Sequence, residues 1–209
     1  MNLNKIKKGT TTIGLVCQDG VILAADKRAT MDTFIASKEV KKIYKLDENL
    51  GVTIAGGVGD ALELIRVLKY HVELYKFNNN TLMSPKGAAV LLSNILQSNK
   101  YFPFLVQMLI GGINNEGEPE LYNIDPLGGY TKEKFTATGS GSLTALGVLE
   151  EAYKANRTTD ENLKISVKAL NIAMRRDAAT GDGIDLVKIT KEGYFEYSKE
   201  DIERLLKEE

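Results

Sequence analysis

The apolar residues of this chain change their period four times, and that limits what it can fold into. From residue 10 to about residue 55 they come in short runs, rich in β-branched residues and broken by turn signals. From 60 to 96 they recur every three to four residues. Short runs return over 105–138, helical spacing over 142–176, and short runs again over 184–197. A period of two marks a strand and a period near 3.6 marks a helix. The order is therefore strands, two helices, strands, two helices, strands.

The signals between these runs sharpen the pattern. Thr10 to Cys17 and Val21 to Asp26 flank the turn sequence Gln18-Asp19-Gly20 and read as a hairpin. Lys41 to Leu46 and Leu50 to Ala55 form a second, joined at Asp47-Glu48-Asn49. A helix is predicted over about 60–77, with Ala61, Leu64, Ile65, Leu68 and Val72 on one face. Ser84-Pro85 reads as an N-cap and first-turn proline ahead of a second helix carrying Ala88, Leu91, Leu92, Ile95 and Leu96. Strands are predicted at Leu105 to Ile113, Glu120 to Ile124 and Phe135 to Thr138. Helices follow at Ser142 to Ala155 and Thr159 to Arg176, the latter with capping-box spacing at Thr158 and Glu161. Ile184 to Thr190 and Tyr194 to Tyr197 read as closing strands, and Ser198 and Asp201 as the cap of a short last helix. Consecutive hairpins pair antiparallel. Two strand groups and two helix pairs suggest an α+β fold, a four-layer α/β/β/α sandwich of two sheets, each covered by helices. Periodicity alone leaves other layer orders open.

Several chemistries are poorly supplied. With one cysteine, Cys17, the chain has no internal disulfide and no Cys-based zinc site. Cys17 reads as a small apolar residue. The single histidine, His71, falls inside a helix, which disfavours a Ser-His-Asp or Cys-His centre and a His-based metal site. Gly56-Gly57-Val58-Gly59 follows a strand, but lacks the spacing of a phosphate-binding loop. Gly139-Ser140-Gly141-Ser142 is not a nucleophile elbow. A net charge of −1 gives no argument for nucleic acid or an anionic membrane. No apolar run approaches a membrane span. Residues 1–9 carry Lys5, Lys7 and Lys8 and no apolar stretch, unlike a secretory signal. The expectation is a soluble cytoplasmic protein with one domain, 10–209, after a short leader.

What remains is Gly9-Thr10-Thr11-Thr12-Ile13-Gly14. Cutting after Gly9 would give Thr10 a free α-amine, placing a hydroxyl nucleophile and an amine base on one residue. A threonine with such an amine needs no catalytic histidine. An α-amine has a pKa of about 7.7–8.0, and a neighbouring ammonium lowers it. Around this stretch stand Ala25-Asp26-Lys27-Arg28, Lys41-Lys42, Thr53-Ile54-Ala55-Gly56, Gly139-Ser140-Gly141-Ser142 and Arg176-Asp177 with Gly181. In this order they resemble the β subunits of archaeal-type proteasomes, from residue 10 nearly to the C-terminus. Taken singly, each has a plainer reading: Thr10 as a strand residue, Asp26 and Lys42 as a surface ion pair, Ser140 as a turn residue and Gly56 as a bulge. It is the resemblance that overrides those readings.

The resemblance implies the sandwich fold of N-terminal nucleophile hydrolases and a threonine endopeptidase made as a precursor, with residues 1–9 removed by self-cleavage. It implies Thr10 as nucleophile, Lys42 beside its hydroxyl, Asp26 holding that lysine, and the Gly56 N–H as oxyanion donor. Ser140 and Asp177 would hold the threonine amine. Thr180 stands where the family often has serine. The pocket for the residue before the cut would be formed by Ala29, Thr30, Val40, Tyr44, Ile54, Val58 and Leu62, favouring large apolar side chains. No cofactor or metal is implied. The implied partners are β subunits in a seven-membered ring, an α-subunit ring, an ATPase regulatory particle and unfolded polypeptide substrates. Two rivals are a simpler bacterial two-ring peptidase and a non-catalytic ring subunit.

Overall fold

The computed structural model describes residues 9–207. Two five-stranded antiparallel sheets stack face to face. The first is built from β1 (Thr11–Val16), β2 (Gly20–Asp26), β10 (Phe135–Gly139), β11 (Ile184–Thr190) and β12 (Gly193–Glu196), in the order β10-β1-β2-β11-β12. The second runs β5 (Ile43–Asp47), β6 (Leu50–Gly56), β7 (Val106–Ile113), β8 (Pro119–Ile124) and β9 (Tyr130–Glu133) in sequence order. A separate hairpin, β3 (Ala29–Met31) and β4 (Phe34–Ser37), stands off both sheets.

The alternation along β2 explains the layers. Its seven residues are all buried, because both faces of the strand are covered. Ile22 and Ala24 join a core with Leu149, Leu163, Val167 and Leu170, from helices α3 (Ser142–Ala152) and α4 (Thr159–Arg176). Val21, Leu23 and Ala25 point the other way, into a core between the sheets with Ile43, Leu109, Leu121, Val187 and Ile189. Helices α1 (Val58–Asn79) and α2 (Pro85–Ser98) cover the outer face of the second sheet. The result is the four-layer α/β/β/α sandwich. The short α5 (Lys199–Lys207) packs against α4 and β11 and adds Ile202, Leu205 and Leu206 to the core that α3 and α4 share with the first sheet.

The helices form where the periodicity places them. The buried residues of α1 are Ala61, Leu64, Ile65, Leu68 and Val72. Ser84 accepts a hydrogen bond from Gly87 N and caps α2, with Pro85 in its first turn. Thr158 and Glu161 make the reciprocal capping box that starts α4. Three strands went unread in the sequence: β3, β4 and β9 are three to four residues long and mostly exposed, so they carry no apolar alternation. The predicted helix over 142–155 stops at Ala152, where Tyr153 turns extended and its hydroxyl bonds Val16 O at 2.7 Å.

Candidate active site

Antiparallel pairing gathers the site at one end of the sandwich. The start of β1 lies between the end of β10 and the end of β2, with Thr11 opposite Gly139. The start of β11 lies beside the end of β2, with Ile184 opposite Asp26. Thr10 therefore leads into β1 at an edge where several chain segments converge.

Asp26 organises that edge. It has no exposed surface, and its two oxygens accept four hydrogen bonds. Oδ1 takes Thr11 N at 2.8 Å and Lys42 Nζ at 2.7 Å. Oδ2 takes Arg28 N at 3.1 Å and Gly181 N at 2.9 Å. That fills about the four lone-pair positions a carboxylate offers. Lys42 is 3% exposed and spends a second N–H on Arg28 O at 2.6 Å. Burial pushes the Lys42 ammonium below its ordinary value of 10.5, against the upward pull of Asp26. Removing either partner would leave a buried charge unmatched, which is strongly destabilising.

Lys42 has three N–H groups, and two are engaged. Its ammonium lines a cavity of about 220 Å³ together with Thr10, Gly9 and Gly56. No hydrogen bond joins Lys42 to Thr10. The Thr10 hydroxyl instead donates to the carbonyl oxygen of Gly9. A Cβ on residue 9 would lie 2.1 Å from Thr30 Oγ1 and 2.5 Å from the Ala179 side chain, so only glycine fits before Thr10.

On the other side, Thr10 N donates to Ser140 Oγ at 3.3 Å. Ser140 Oγ donates to Asp177 Oδ2, which also accepts from Thr180 Oγ1 at 2.5 Å. Asp177 caps the C-terminal end of α4, so the helix sets its position. The loop that follows is held onto β2: Lys27 N donates to Gly181 O at 3.1 Å, and Arg28 reaches Asp182 at 2.6 Å and Ala178 O at 2.7 Å.

Gly56 ends β6 at a φ of +114°, and a Cβ there would stand 2.2 Å from Leu105 O. Both facts demand glycine. Ile54 N donates to Lys42 O at 3.0 Å, and Gly57 N to Leu105 O at 2.8 Å on the opposite edge. The alternation of the strand aims the Gly56 N–H along the Ile54 edge, past the start of β5 and toward the cavity.

The structure thus brings Thr10, Asp26, Lys42, Ser140, Asp177 and Gly56 to one end of the fold. Ala29, Thr30, Val40, Ile54 and Val58 line the same cavity as Thr10. Tyr44 and Leu62 are not in that lining: Tyr44 packs beside the α1–α2 core, and Leu62 is 39% exposed on α1. Sequence reasoning did not foresee the Arg28 carbonyl as a lysine partner or the hydroxyl link from Thr11 to Thr180. The first is a main-chain contact that no side-chain type signals. Among the described residues, no three His, Cys, Asp or Glu side chains group to hold a metal ion.

Two antiparallel sheets between helical layers, with a threonine at a strand start near a buried Asp–Lys pair, define an α+β sandwich with a candidate site at one end. The family described as Proteasome subunit matches residues 6–189. A "Proteasome subunit beta" of Archaeoglobus profundus is 52% identical over 97% of this chain and 94% of that protein. Those of Archaeoglobus fulgidus and Methanocaldococcus fervens are each 51% identical, over 97% of this chain and 95% and 91% of theirs. The chain belongs to the proteasome subunit family, as a β subunit of archaeal type. Among the described residues, no helix is long and apolar enough to cross a membrane.

Proposed function

We propose that this β subunit is a threonine endopeptidase whose nucleophile, Thr10, is freed by self-cleavage after Gly9. One observation carries the reading: a buried ammonium, Lys42, matched by a fully satisfied carboxylate, opens into the cavity that holds Thr10 and Gly9.

Maturation proceeds by Thr10 Oγ attacking the Gly9 carbonyl carbon. The new C–O bond replaces the Gly9–Thr10 C–N bond, and the nitrogen takes a proton to become the α-amine. Water then hydrolyses the ester and releases residues 1–9. In each later turnover the amine takes the proton of Oγ, and Oγ attacks a substrate carbonyl. The Lys42 charge favours the alkoxide character of Oγ, and the Gly56 N–H meets the developing oxyanion. The scissile C–N bond breaks, and its nitrogen takes the proton back from the Thr10 ammonium and leaves as the new amine of the C-terminal fragment. Water then resolves the acyl ester. Ser140, itself bonded to Asp177, accepts one amine N–H and so orients the nitrogen lone pair.

The pocket beside Thr10 is formed by Ala29, Val40, Ile54 and Val58, with Thr30 at its edge, and favours a large apolar residue before the cut. The working form is a cytoplasmic particle of β subunits in seven-membered rings against α-subunit rings. An ATPase partner feeds it unfolded polypeptide.

Peptidase assays of assembled particles test this. Thr10→Ala and Lys42→Ala each abolish hydrolysis, and Thr10→Ala keeps its leader. Near wild-type turnover by Thr10→Ala ends the proposal.

A further inference from the structure

The Thr10 amine position is tied to Ser140, and Ser140 to Asp177, but the hydrogen-bond chain does not stop there. Thr180 donates to the same Asp177 oxygen, and Thr180 Oγ1 lies 2.7 Å from Thr11 Oγ1. Proton counting fixes the direction of that last link. A carboxylate only accepts, and a hydroxyl has one proton. Thr180 has given its proton to Asp177, so Thr11 is the donor. The chain runs from the Thr11 hydroxyl to the Thr180 hydroxyl to Asp177, where Ser140 and then Thr10 N join from the other side.

Thr11 also touches the opposite half of the site. Its backbone N–H donates to Asp26 Oδ1, the oxygen that holds Lys42. It is thus bonded both to the carboxylate that holds the lysine and to the hydroxyl chain that holds the amine. Thr11 and Thr180 have no exposed surface, so losing a partner costs more there than at the surface. Both are β-branched, which restricts the hydroxyls to few rotamers. Gly141 leaves the space this needs: a Cβ there would lie 2.2 Å from Thr11 Oγ1 and 3.2 Å from Thr180 Oγ1.

We infer that Thr11 is a positioning residue for the Thr10 amine, acting through Thr180 and Asp177, and that it fixes the amine relative to the lysine. This rests on Thr10 as nucleophile. Thr11 touches no substrate; it sets where the Asp177 carboxylate, and hence Ser140, can point.

The test is kinetic, on assembled particles, with rates normalised to the processed fraction measured by intact mass. Thr11→Val keeps the shape and removes the hydroxyl. It lowers kcat roughly tenfold or more, as expected when a general base is misaligned. It leaves KM nearly unchanged and moves the acid limb of the kcat/KM profile. Thr11→Ser restores both. In a Thr180→Ala background, where the chain is already cut, Thr11→Val adds nothing further. Wild-type kcat and pH profile in processed Thr11→Val, or additive losses in the double variant, overturn the inference. Should Thr11→Val fail to assemble, Thr180→Ala decides: an unshifted acid limb there overturns it too. Thr10→Ala is the control. If it stays active, the nucleophile assignment is wrong; if it is dead while Thr11→Val behaves as wild type, only the role of Thr11 is wrong.

Discussion

Asp26 and Lys42 are a pair that would be costly without their surroundings. Two buried charges lose hydration, and their mutual attraction compensates only when further hydrogen bonds complete the site. Here Thr11 N, Arg28 N, Gly181 N and Arg28 O supply those bonds. The arrangement keeps a cation beside Thr10 while burial pulls its pKa down from 10.5. The sign of the pH dependence follows. The mechanism needs a neutral amine and a charged lysine, so activity rises as the amine loses its proton and falls as Lys42 loses its own. A kcat/KM profile with a fluorogenic peptide should be bell-shaped, with its alkaline limb beginning below pH 10.5. A plateau extending beyond that pH would contradict the role of Lys42. The pocket gives a second prediction. Ala29, Val40, Ile54 and Val58 give it an apolar wall, Thr10 and Thr30 add hydroxyls, and its one charge, Lys42, is already matched by Asp26. A buried Leu or Phe gains about 1.5–3 kcal/mol, whereas Arg meets no carboxylate in the lining and Glu meets only the remaining N–H of a lysine whose charge Asp26 already matches. Peptides differing only at the residue before the cut should be hydrolysed faster with Leu or Tyr than with Arg or Glu. Equal rates with Arg would refute the pocket. Thr10, Asp26, Lys42, Ser140 and Asp177, which the structure gathers at one end of the fold, were singled out in the sequence by the resemblance their ordered motifs carry and not by spacing alone. The backbone groups of Arg28 and Gly181 were not, since any residue can supply them.

Elements with a strong period were legible and weak ones were not. Five residues at helical spacing mark the buried face of α1, and the same five are buried. The β3–β4 hairpin leaves no such trace, because Met31 and Phe34 are 73% and 70% exposed and no core imposes an alternation. Yet β3 supplies Ala29 and Thr30 to the cavity, so part of the site rests on an element that periodicity cannot find. Helix α4 shows how an element can separate stability from chemistry. Its N-terminus is held by Thr158, and its C-terminal end carries Asp177. Thr158→Ala removes a cap and should cost about 1 kcal/mol. Thermal unfolding should show that loss, with kcat/KM unchanged because the substitution lies at the far end from Asp177. A fall in kcat/KM with no change in melting would mean that α4 transmits motion to the site.

At the scale of the molecule, hairpin order argued for antiparallel sheets and helix pairs for covering layers, but stacking was settled only by the two faces of β2. Its outward residues meet α3 and α4, and its inward residues meet the second sheet. That stacking brings Lys42 and Gly56, at the edge of the second sheet, against Thr10 and Asp26 in the first. A candidate site spanning two sheets forms only in the folded chain, which suits the proposed self-cleavage after folding. The most direct test is the intact mass of the chain recovered from active assembled particles. Self-cleavage after Gly9 shortens it from 209 to 200 residues and, with Lys5, Lys7 and Lys8 gone, takes the net charge from −1 to −4. The account predicts that the recovered chain begins at Thr10 and that Thr10→Ala particles keep residues 1–9. Active particles whose chains all retain the leader would contradict it, because Thr10 would then have no free amine to act as base.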